Sequence, residues 1–219
     1  MSENNSVIKI TMLSIIALII VALIAYFFVK PILFKEKLPK PVVIDTSNQP
    51  TLGNANAKVH LVIFEDLKCV NCARFNVQLM PYIKKEFIDT GVAKYTLMNV
   101  AFINGSLPAA NAARCVYQQN NQLFFDYTDY IFHHQPDENQ NWATVPTLLD
   151  FANQVKGINT DQLAQCLVKS PYDQIIHANL VQAMKLMNNV VATPTLYANG
   201  VIVTPLTKAQ INKVIEAVK

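Results

Sequence analysis

The feature that most constrains the fold is a cysteine pair placed where a buried strand gives way to a helix. Residues 59–64 form the apolar run Val-His-Leu-Val-Ile-Phe, and Cys69 and Cys72 follow at the start of a segment with helical periodicity. A helix N-terminus carries roughly half a positive charge and several unpaired N–H groups, which favour a thiolate. The second cysteine lies one helical turn further on, where it can close an intramolecular disulfide. The arrangement predicts thiol–disulfide redox chemistry.

The same pair is also compatible with a static disulfide or a metal site. Structural zinc needs about four ligands, usually with a second close Cys/His pair. Cys115 and Cys166 stand alone, and His133 and His134 are adjacent, which is a poor spacing for one metal. The sequence therefore favours redox chemistry with no metal and no bound cofactor, because the sulfurs carry the electrons.

An apolar segment near the N-terminus predicts a membrane anchor. Residues 10–29 contain no charged side chain, and a helix of this length spans roughly 30 Å, the hydrocarbon thickness of a bilayer. A cleaved signal peptide has a shorter apolar core followed by small residues, whereas bulky aromatic residues occupy the expected cleavage zone here. We expect a retained single-pass anchor, with a cleaved signal and a buried core helix as the alternatives.

Two signals disagree about the side of the membrane on which the C-terminal domain lies. Lys9 is the only basic side chain before the apolar segment, whereas four lysines follow it within residues 30–40. This distribution of positive charge favours a cytoplasmic domain. Four cysteines, an even number, suit an oxidising compartment instead. We expect the extracytoplasmic side, because long domains translocate with limited regard to flanking charge.

The overall charge gives no reason to expect a nucleic-acid partner. The formal net charge is +3, from 18 basic and 15 acidic side chains, and the chain has no run of five or more basic residues. Nucleic-acid-binding proteins instead concentrate positive charge on one face.

The order of strand and helix signals is typical of a split α/β domain. Strands are predicted at residues 59–64 and 92–102, with Pro81 kinking or dividing the helix between them. Near the end, Asn199-Gly200 predicts a hairpin, and Thr207 caps a final helix. Between these parts, helices are predicted at residues 108–134 (with a bend at Asn120-Asn121), 145–155, 160–168 (capped by Thr160 with Asp161) and 172–187. A proline-rich linker with a short edge strand at Val42–Ile44 precedes the domain.

Three motifs in order resemble those of the DsbA-like thiol:disulfide oxidoreductases, a thioredoxin-fold group with an inserted helical domain. They are Leu-Gly-Asn-Ala-Asn-Ala at residues 52–57, Phe-Glu-Asp-Leu-Lys-Cys-Val-Asn-Cys at 64–72 and Val-Ala-Thr-Pro-Thr-Leu-Tyr-Ala-Asn-Gly at 191–200. The resemblance implies an α/β, thioredoxin-like fold with an inserted α-helical domain, preceded by the transmembrane helix. The predicted organisation is a tail at 1–9, the anchor at 10–29, a linker at 30–51, the thioredoxin-like domain at 52–104 and 188–219, and the helical insertion at 105–187.

The resemblance also implies roles for individual residues and partners. Cys69 is the attacking cysteine and Cys72 the resolving one. Thr193-Pro194 is the cis-proline loop that faces the disulfide and pairs with a substrate strand; without the resemblance, Pro194 reads as an ordinary strand-start proline. The implied substrates are cysteine-containing exported proteins. A DsbB-like, quinone-linked membrane protein would regenerate the enzyme at a bacterial inner membrane, with the catalytic domain on the periplasmic or outer side.

Two departures from the family pattern predict a milder oxidant. Val70-Asn71 stands where strong oxidants often carry a histidine between the cysteines, and Ile63 stands where a buried acid is often found. Glu65 and Asp66 are nearby in sequence. We expect a reduction potential of roughly −120 to −270 mV, between those of DsbA and thioredoxin.

Cys115 and Cys166 are predicted to form a structural disulfide within the helical insertion. The C-x-x-C pair is self-contained, which leaves these two to bridge, with a pair of free thiols and a second redox pair as alternatives. For the function as a whole, the alternatives are a disulfide isomerase or reductase of the same fold and a non-catalytic metal carrier that uses Cys69 and Cys72.

Overall fold

The computed structural model describes residues 3–33, 37–169 and 171–219 of the 219-residue chain, in two compact units, Met1–Leu38 and Pro39–Lys219. The first unit contains helix α1, Glu3–Leu33, whose side chains at residues 12–27 are exposed. In the described ranges, no helix combines the length and apolarity that crossing a bilayer requires, so the predicted transmembrane helix at residues 10–29 is not supported. Residues 34–36 of the predicted linker lie outside the described residues.

The second unit is built on a mixed five-stranded sheet. Its strands are β1 Thr51–Leu52, β2 Val59–Glu65, β3 Ala93–Asn99, β4 Thr195–Ala198 and β5 Val201–Ile202. Their order across the sheet is β1-β3-β2-β4-β5. Strand β2 lies at the centre, parallel to β3 and antiparallel to β4, which explains why its apolar run is buried on both faces. One core cluster includes Phe64, Met98 and Tyr197, from these three neighbouring strands.

Helices connect these strands in the predicted order. Helices α2 (Val70–Gln78) and α3 (Met80–Ile83), followed by a π-helical turn (Lys84–Ile88), join β2 to β3. A helical region joins β3 to β4, and α9 (Lys208–Val218) closes the chain. The helical region consists of α4 Leu107–Gln119, α5 Asn121–His134, α6 Val145–Asn153, α7 Thr160–Lys169 and α8 Asp173–Leu186.

Helix boundaries follow local capping and proline signals. Pro81 lies in the first turn of α3, so the helix after β2 is divided as predicted. Asn120 caps α5 by accepting hydrogen bonds from two backbone N–H groups, and Thr207 caps α9 in the same way through Gln210 N. The predicted Thr160 cap is wrong: α7 begins at Thr160, and the Asn159 side chain accepts from Gln162 N.

The segment before the sheet contains no strand at Val42–Ile44, so the predicted edge strand is wrong. Its backbone meets the β4–β5 hairpin once, where Val42 N donates to Gly200 O at 2.9 Å. A Cβ at Gly200 would collide with the Val42 carbonyl, and Gly200 also has φ of +80°. Further along, the Arg114 guanidinium donates twice to Asn48 O, at 3.0 Å each.

Candidate active site

The loop between β2 and α2 places Cys69 at the N-cap of the helix. Its backbone is extended, with φ −72° and ψ 119°, and its N–H donates to Asp66 O at 3.0 Å. The Asp66 carboxylate is buried and accepts hydrogen bonds from Lys68 N, Phe102 N, Ile103 N and Ser106 Oγ, at 2.9–3.0 Å. Burial raises the pKa of Asp66, and these hydrogen bonds oppose that effect. Asp66 therefore ties the cysteine loop to the start of the helical region.

The Cys69 sulfur is prepared to ionise. A hydrogen bond with the Cys72 thiol is the largest effect that lowers the pKa of Cys69, to about 6, with further help from Thr193 and from the N–H groups of Cys72 and Asn71 and against the effect of burial. Cys69 Sγ lies 3.5 Å from Thr193 O. Because this pKa is below 7, the Cys69 side chain is a thiolate in most molecules at neutral pH.

Cys72 has the opposite character. Its side chain is 0 % exposed, against 5 % for Cys69, and burial raises its pKa well above that of an ordinary thiol. Both cysteines are free thiols in this structure. The pair is thus asymmetric, with one sulfur that is readily ionised and one that is held protonated inside the protein.

The loop before β4 forms the opposite wall of the site. The Thr193–Pro194 peptide bond is cis, and both residues are half-buried directly before the first residue of β4. The fold brings Thr193 to Cys69 across 124 positions of sequence. Pro194 therefore directly precedes a strand, as the sequence-based reading allowed, and its cis bond follows Thr193, whose carbonyl oxygen lies near the Cys69 sulfur.

A buried acid lies below the cysteines. Glu65 is fully buried and accepts a 2.7 Å hydrogen bond from Asn76 Nδ2, which also donates to Cys72 O at 3.0 Å. Burial raises the pKa of Glu65 well above its usual value. Side chains two apart on a strand point to the same face, so Glu65 shares a face with Ile63, the position at which the family pattern places an acid. Asn76 was missed by the sequence analysis, because its role depends on contacts to both β2 and α2.

The helical region also reaches the cysteine loop. Gln135 Nε2 donates to Cys69 O at 3.2 Å, and a Glu138 carboxylate oxygen accepts from Val70 N at 2.9 Å. Gln135 and Glu138 both lie between the helices predicted at residues 108–134 and 145–155. No local signal marks Glu138, because its partner lies 68 positions earlier in the chain.

The other two cysteines lie away from this loop in sequence and are joined to each other. Cys115 on α4 and Cys166 on α7 form a disulfide with Cα atoms 6.0 Å apart. Among the described residues, no group of three or more His, Cys, Asp or Glu side chains is arranged to hold a metal ion.

A mixed sheet with a C-x-x-C pair at the start of a helix, facing a cis-proline loop, is the arrangement of a thiol:disulfide oxidoreductase. Residues 45–217 match the thioredoxin family model. The chain belongs to this family and is DsbA-like, with the predicted thioredoxin-like α/β fold and helical region. This identification does not depend on α1, which lies outside the matched range.

Similar proteins of known name support the same class. Disulfide bond formation protein D of Bacillus subtilis is 35% identical over 156 residues, which cover 71% of this chain and 69% of that protein. The crystal structure of Chlamydia trachomatis DsbA has a TM-score of 0.74 and 30% identity, and the match covers 82% of this chain and 96% of that one. Oxidised BdbD from Bacillus subtilis also has a TM-score of 0.74, with 33% identity and coverage of 83% and 96%. The chain is a thiol:disulfide oxidoreductase that acts on cysteine-containing substrates.

Proposed function

We propose that the chain introduces disulfides into exported proteins through Cys69 and Cys72. The observation that carries this proposal is the asymmetry of the pair: the pKa of Cys69 is lowered to about 6 at the start of α2, whereas burial raises that of Cys72. A thiol of low pKa is a good leaving group. The second thiol of the substrate therefore readily displaces Cys69 from a mixed disulfide, and the substrate keeps the disulfide. The names of the relatives, disulfide bond formation protein D and DsbA, agree with the oxidative direction.

The reaction begins with the Cys69–Cys72 disulfide. A substrate thiolate attacks Cys69 Sγ, the bond between the two enzyme sulfurs breaks, and Cys72 leaves with the electron pair and takes up a proton, as its raised pKa requires. The second substrate thiolate then attacks the substrate sulfur of the mixed disulfide. Cys69 leaves as a thiolate, the substrate has lost two electrons, and the enzyme holds them as its reduced pair.

The loop at Thr193-Pro194 is the proposed substrate-binding element. It lies against the sulfur that is attacked, since Thr193 O is 3.5 Å from Cys69 Sγ. An extended substrate segment that pairs with backbone groups beside this loop would bring its cysteine to Cys69. Main-chain pairing of this kind suits an enzyme whose substrates share a cysteine but little other sequence.

The proposed site of action is the extracytoplasmic side of a bacterial inner membrane. The Cys115–Cys166 disulfide supports an oxidising compartment, because such bonds persist there and are rare in the cytosol. Each turnover leaves the enzyme reduced, so an electron acceptor is needed. We propose a DsbB-like, quinone-linked membrane protein for this role, as the family resemblance implies.

The test combines trapping with a direct assay of oxidation. A Cys72→Ser variant lacks the resolving sulfur and should accumulate mixed disulfides with substrates at Cys69, whereas Cys69→Ser should accumulate none. The oxidised wild-type protein should oxidise a reduced dithiol peptide faster than the reduced protein reduces insulin, with a reduction potential of roughly −120 to −270 mV. Insulin reduction as the faster activity would overturn the oxidase assignment.

A further inference from the structure

One segment of the helical region contacts both polar groups of the peptide unit that joins Cys69 to Val70. Gln135 Nε2 donates to the carbonyl of Cys69, and Glu138 Oε2 accepts from the N–H of the next residue, Val70. The segment has its own internal bracing, because the Asp137 carboxylate accepts from both N–H and Nδ2 of Asn139. Glu138 is thus held at the first turn of α2 from outside that helix.

The position of Glu138 matters because backbone N–H groups at the N-terminus of α2 are among the groups that favour the Cys69 thiolate. The free N–H groups and the helix dipole there attract negative charge. A carboxylate that accepts one of these N–H groups uses part of that attraction, and it also places a second negative charge beside the sulfur. Both effects disfavour the thiolate relative to the thiol and the disulfide.

We propose that Glu138 sets the reduction potential of the Cys69–Cys72 pair by competing with the Cys69 thiolate for the positive end of α2. This inference rests on the proposed function, in which Cys69 is the reactive sulfur. Reduction of the disulfide adds two electrons and leaves Cys69 as a thiolate and Cys72 as a thiol. A carboxylate that destabilises the thiolate therefore favours the disulfide and makes the protein a milder oxidant. Glu138 is a positioning residue in this scheme, because it touches the helix and not the substrate.

The charged groups around this end of the helix do not all act in the same direction as Glu138. Lys68 and Glu138 line the same cavity of about 520 Å³, and Lys68 Nζ donates to Asn104 O at 2.9 Å. Removal of the Glu138 charge would leave the Lys68 ammonium to favour the thiolate further. Burial raises the pKa of Glu65 and of Asp66, which disfavours the charged form of both carboxyl groups.

The experiment compares three variants of the full chain. Glu138→Gln removes the charge and keeps an oxygen that can accept from Val70 N, whereas Glu138→Ala removes both. Glu216→Gln makes the same charge change at an exposed position on α9 and serves as the matched control. The measurements are the pH profile of Cys69 alkylation by iodoacetamide, with peptide mass analysis of the product, and the equilibrium of the Cys69–Cys72 pair with glutathione.

For Glu138→Gln and Glu138→Ala we expect the acid dissociation constant of Cys69 to rise about threefold, the usual size of a charge effect at a helix end. The glutathione equilibrium should shift towards reduced protein by the same factor, about 14 mV at roughly 30 mV per tenfold. The difference from wild type should shrink at high salt, which screens a charge effect but not a loss of structure. Glu216→Gln should match wild type.

Four outcomes would overturn the inference. In the first, Glu138→Gln behaves as wild type and only Glu138→Ala changes, so Glu138 is a structural cap. In the second, Glu216→Gln shifts the potential as much as Glu138→Gln does, so only the net charge matters. In the third, Cys69 alkylates as an unperturbed thiol in every protein, which overturns the proposed function as well. A lowered pKa of Cys69 that is equal in all four proteins defeats the Glu138 inference and leaves the proposed function intact.

Discussion

The pair Cys69–Cys72 and the pair Cys115–Cys166 consist of the same side chain held by different kinds of structure. The first pair lies at a helix start, within three positions of sequence, and both sulfurs are free thiols. The second joins two helices across 51 positions and is closed in a disulfide. At the first pair, hydrogen bonds lower the pKa of Cys69 and burial raises that of Cys72; at the second, the bond joins α4 to α7.

The difference shows that burial alone does not decide what a cysteine does. Cys69 and Cys115 are both nearly inaccessible, at 5 % and 3 % exposure. Cys69 is a free thiol and receives hydrogen bonds that lower its pKa, to about 6, whereas Cys115 is joined to Cys166 and has no thiol to ionise. A buried cysteine becomes a nucleophile where its charge is supported, and a structural link where two chain segments need to be joined.

The largest effect should come from removing the sulfur of Cys69. The Cys69→Ser variant should oxidise a reduced dithiol peptide at the background rate, because serine cannot form the mixed disulfide. A Cys115→Ala/Cys166→Ala double variant should keep most of the wild-type rate below its unfolding temperature. The initial rate of peptide oxidation measures both. Loss of activity in the double variant, with the fold intact by circular dichroism, would contradict the separation of the two pairs.

The disulfide of the helical region should contribute mainly to stability. In a Cys69→Ser/Cys72→Ser background, Cys115–Cys166 is the one disulfide that the sequence allows. Its reduction should lower the free energy of unfolding by about 4 kcal/mol, the chain-entropy value for a loop of this size. Urea unfolding with and without a reductant measures the change, and a difference near zero would show that the bond does not stabilise the folded state.

Ionisation of Glu65, the buried acid near the reactive pair, should lower the stability of the folded protein as the pH rises. The pKa of Glu65 is raised in the folded state by burial, so the folded protein binds its proton more tightly than the unfolded chain does. The contribution of Glu65 to the free energy of unfolding is therefore fully present at low pH. It decreases above the unfolded pKa of about 4.3, by about 1.4 kcal/mol per pH unit, until the folded pKa is reached.

A Glu65→Gln variant should lack this decrease while keeping an oxygen that accepts from Asn76. Free energies of unfolding at a series of pH values from 4 to 9 test the expectation. Glu86→Gln, on the exposed π-helical turn, is the matched control and should follow the wild-type curve. Parallel curves for wild type and Glu65→Gln would mean that Glu65 ionises normally in the folded state.

The smallest expected effect is that of a histidine between the cysteines. Asn71 is exposed, and its Oδ1 accepts from Arg74 at 2.9 Å. Asn71→His should raise the reduction potential by about 5 to 20 mV at pH 6.5. An imidazolium at a helix start disfavours the helix, but it stabilises a neighbouring thiolate and so favours the reduced pair. At pH 8.5 the imidazole is neutral and the increase should disappear. Glutathione equilibria at the two pH values measure it, and an unchanged potential at pH 6.5 would contradict it.

Those parts of the fold that depend on neighbours in sequence were predictable. The β2–α2 junction with its cysteines, the helix division at Pro81 and the cap at Asn120 all follow from local chemistry. The hairpin at Asn199-Gly200 is confirmed, with positive φ at both residues. Local rules suffice at these places because the groups that satisfy the backbone lie within a few residues.

Those parts that depend on distant neighbours were not predictable. Val42 makes one backbone hydrogen bond to the hairpin, which is too little for the expected edge strand. Asn76 and Glu138 have their roles at the cysteine loop only because the fold brings separate segments together. The apolar composition of residues 10–29 suggested a membrane helix, which the described residues do not support.

The contact between Cys69 and Thr193 has a consequence for how the protein matures. The two residues are separated by 124 positions, so a ribosome that adds about 5 to 20 residues per second needs roughly 6 to 25 seconds to make the intervening chain. Throughout that interval the newly made C-x-x-C segment has no opposite wall against which to close. The contact of its first sulfur with Thr193 is therefore acquired late, after nearly the whole polypeptide has been synthesised.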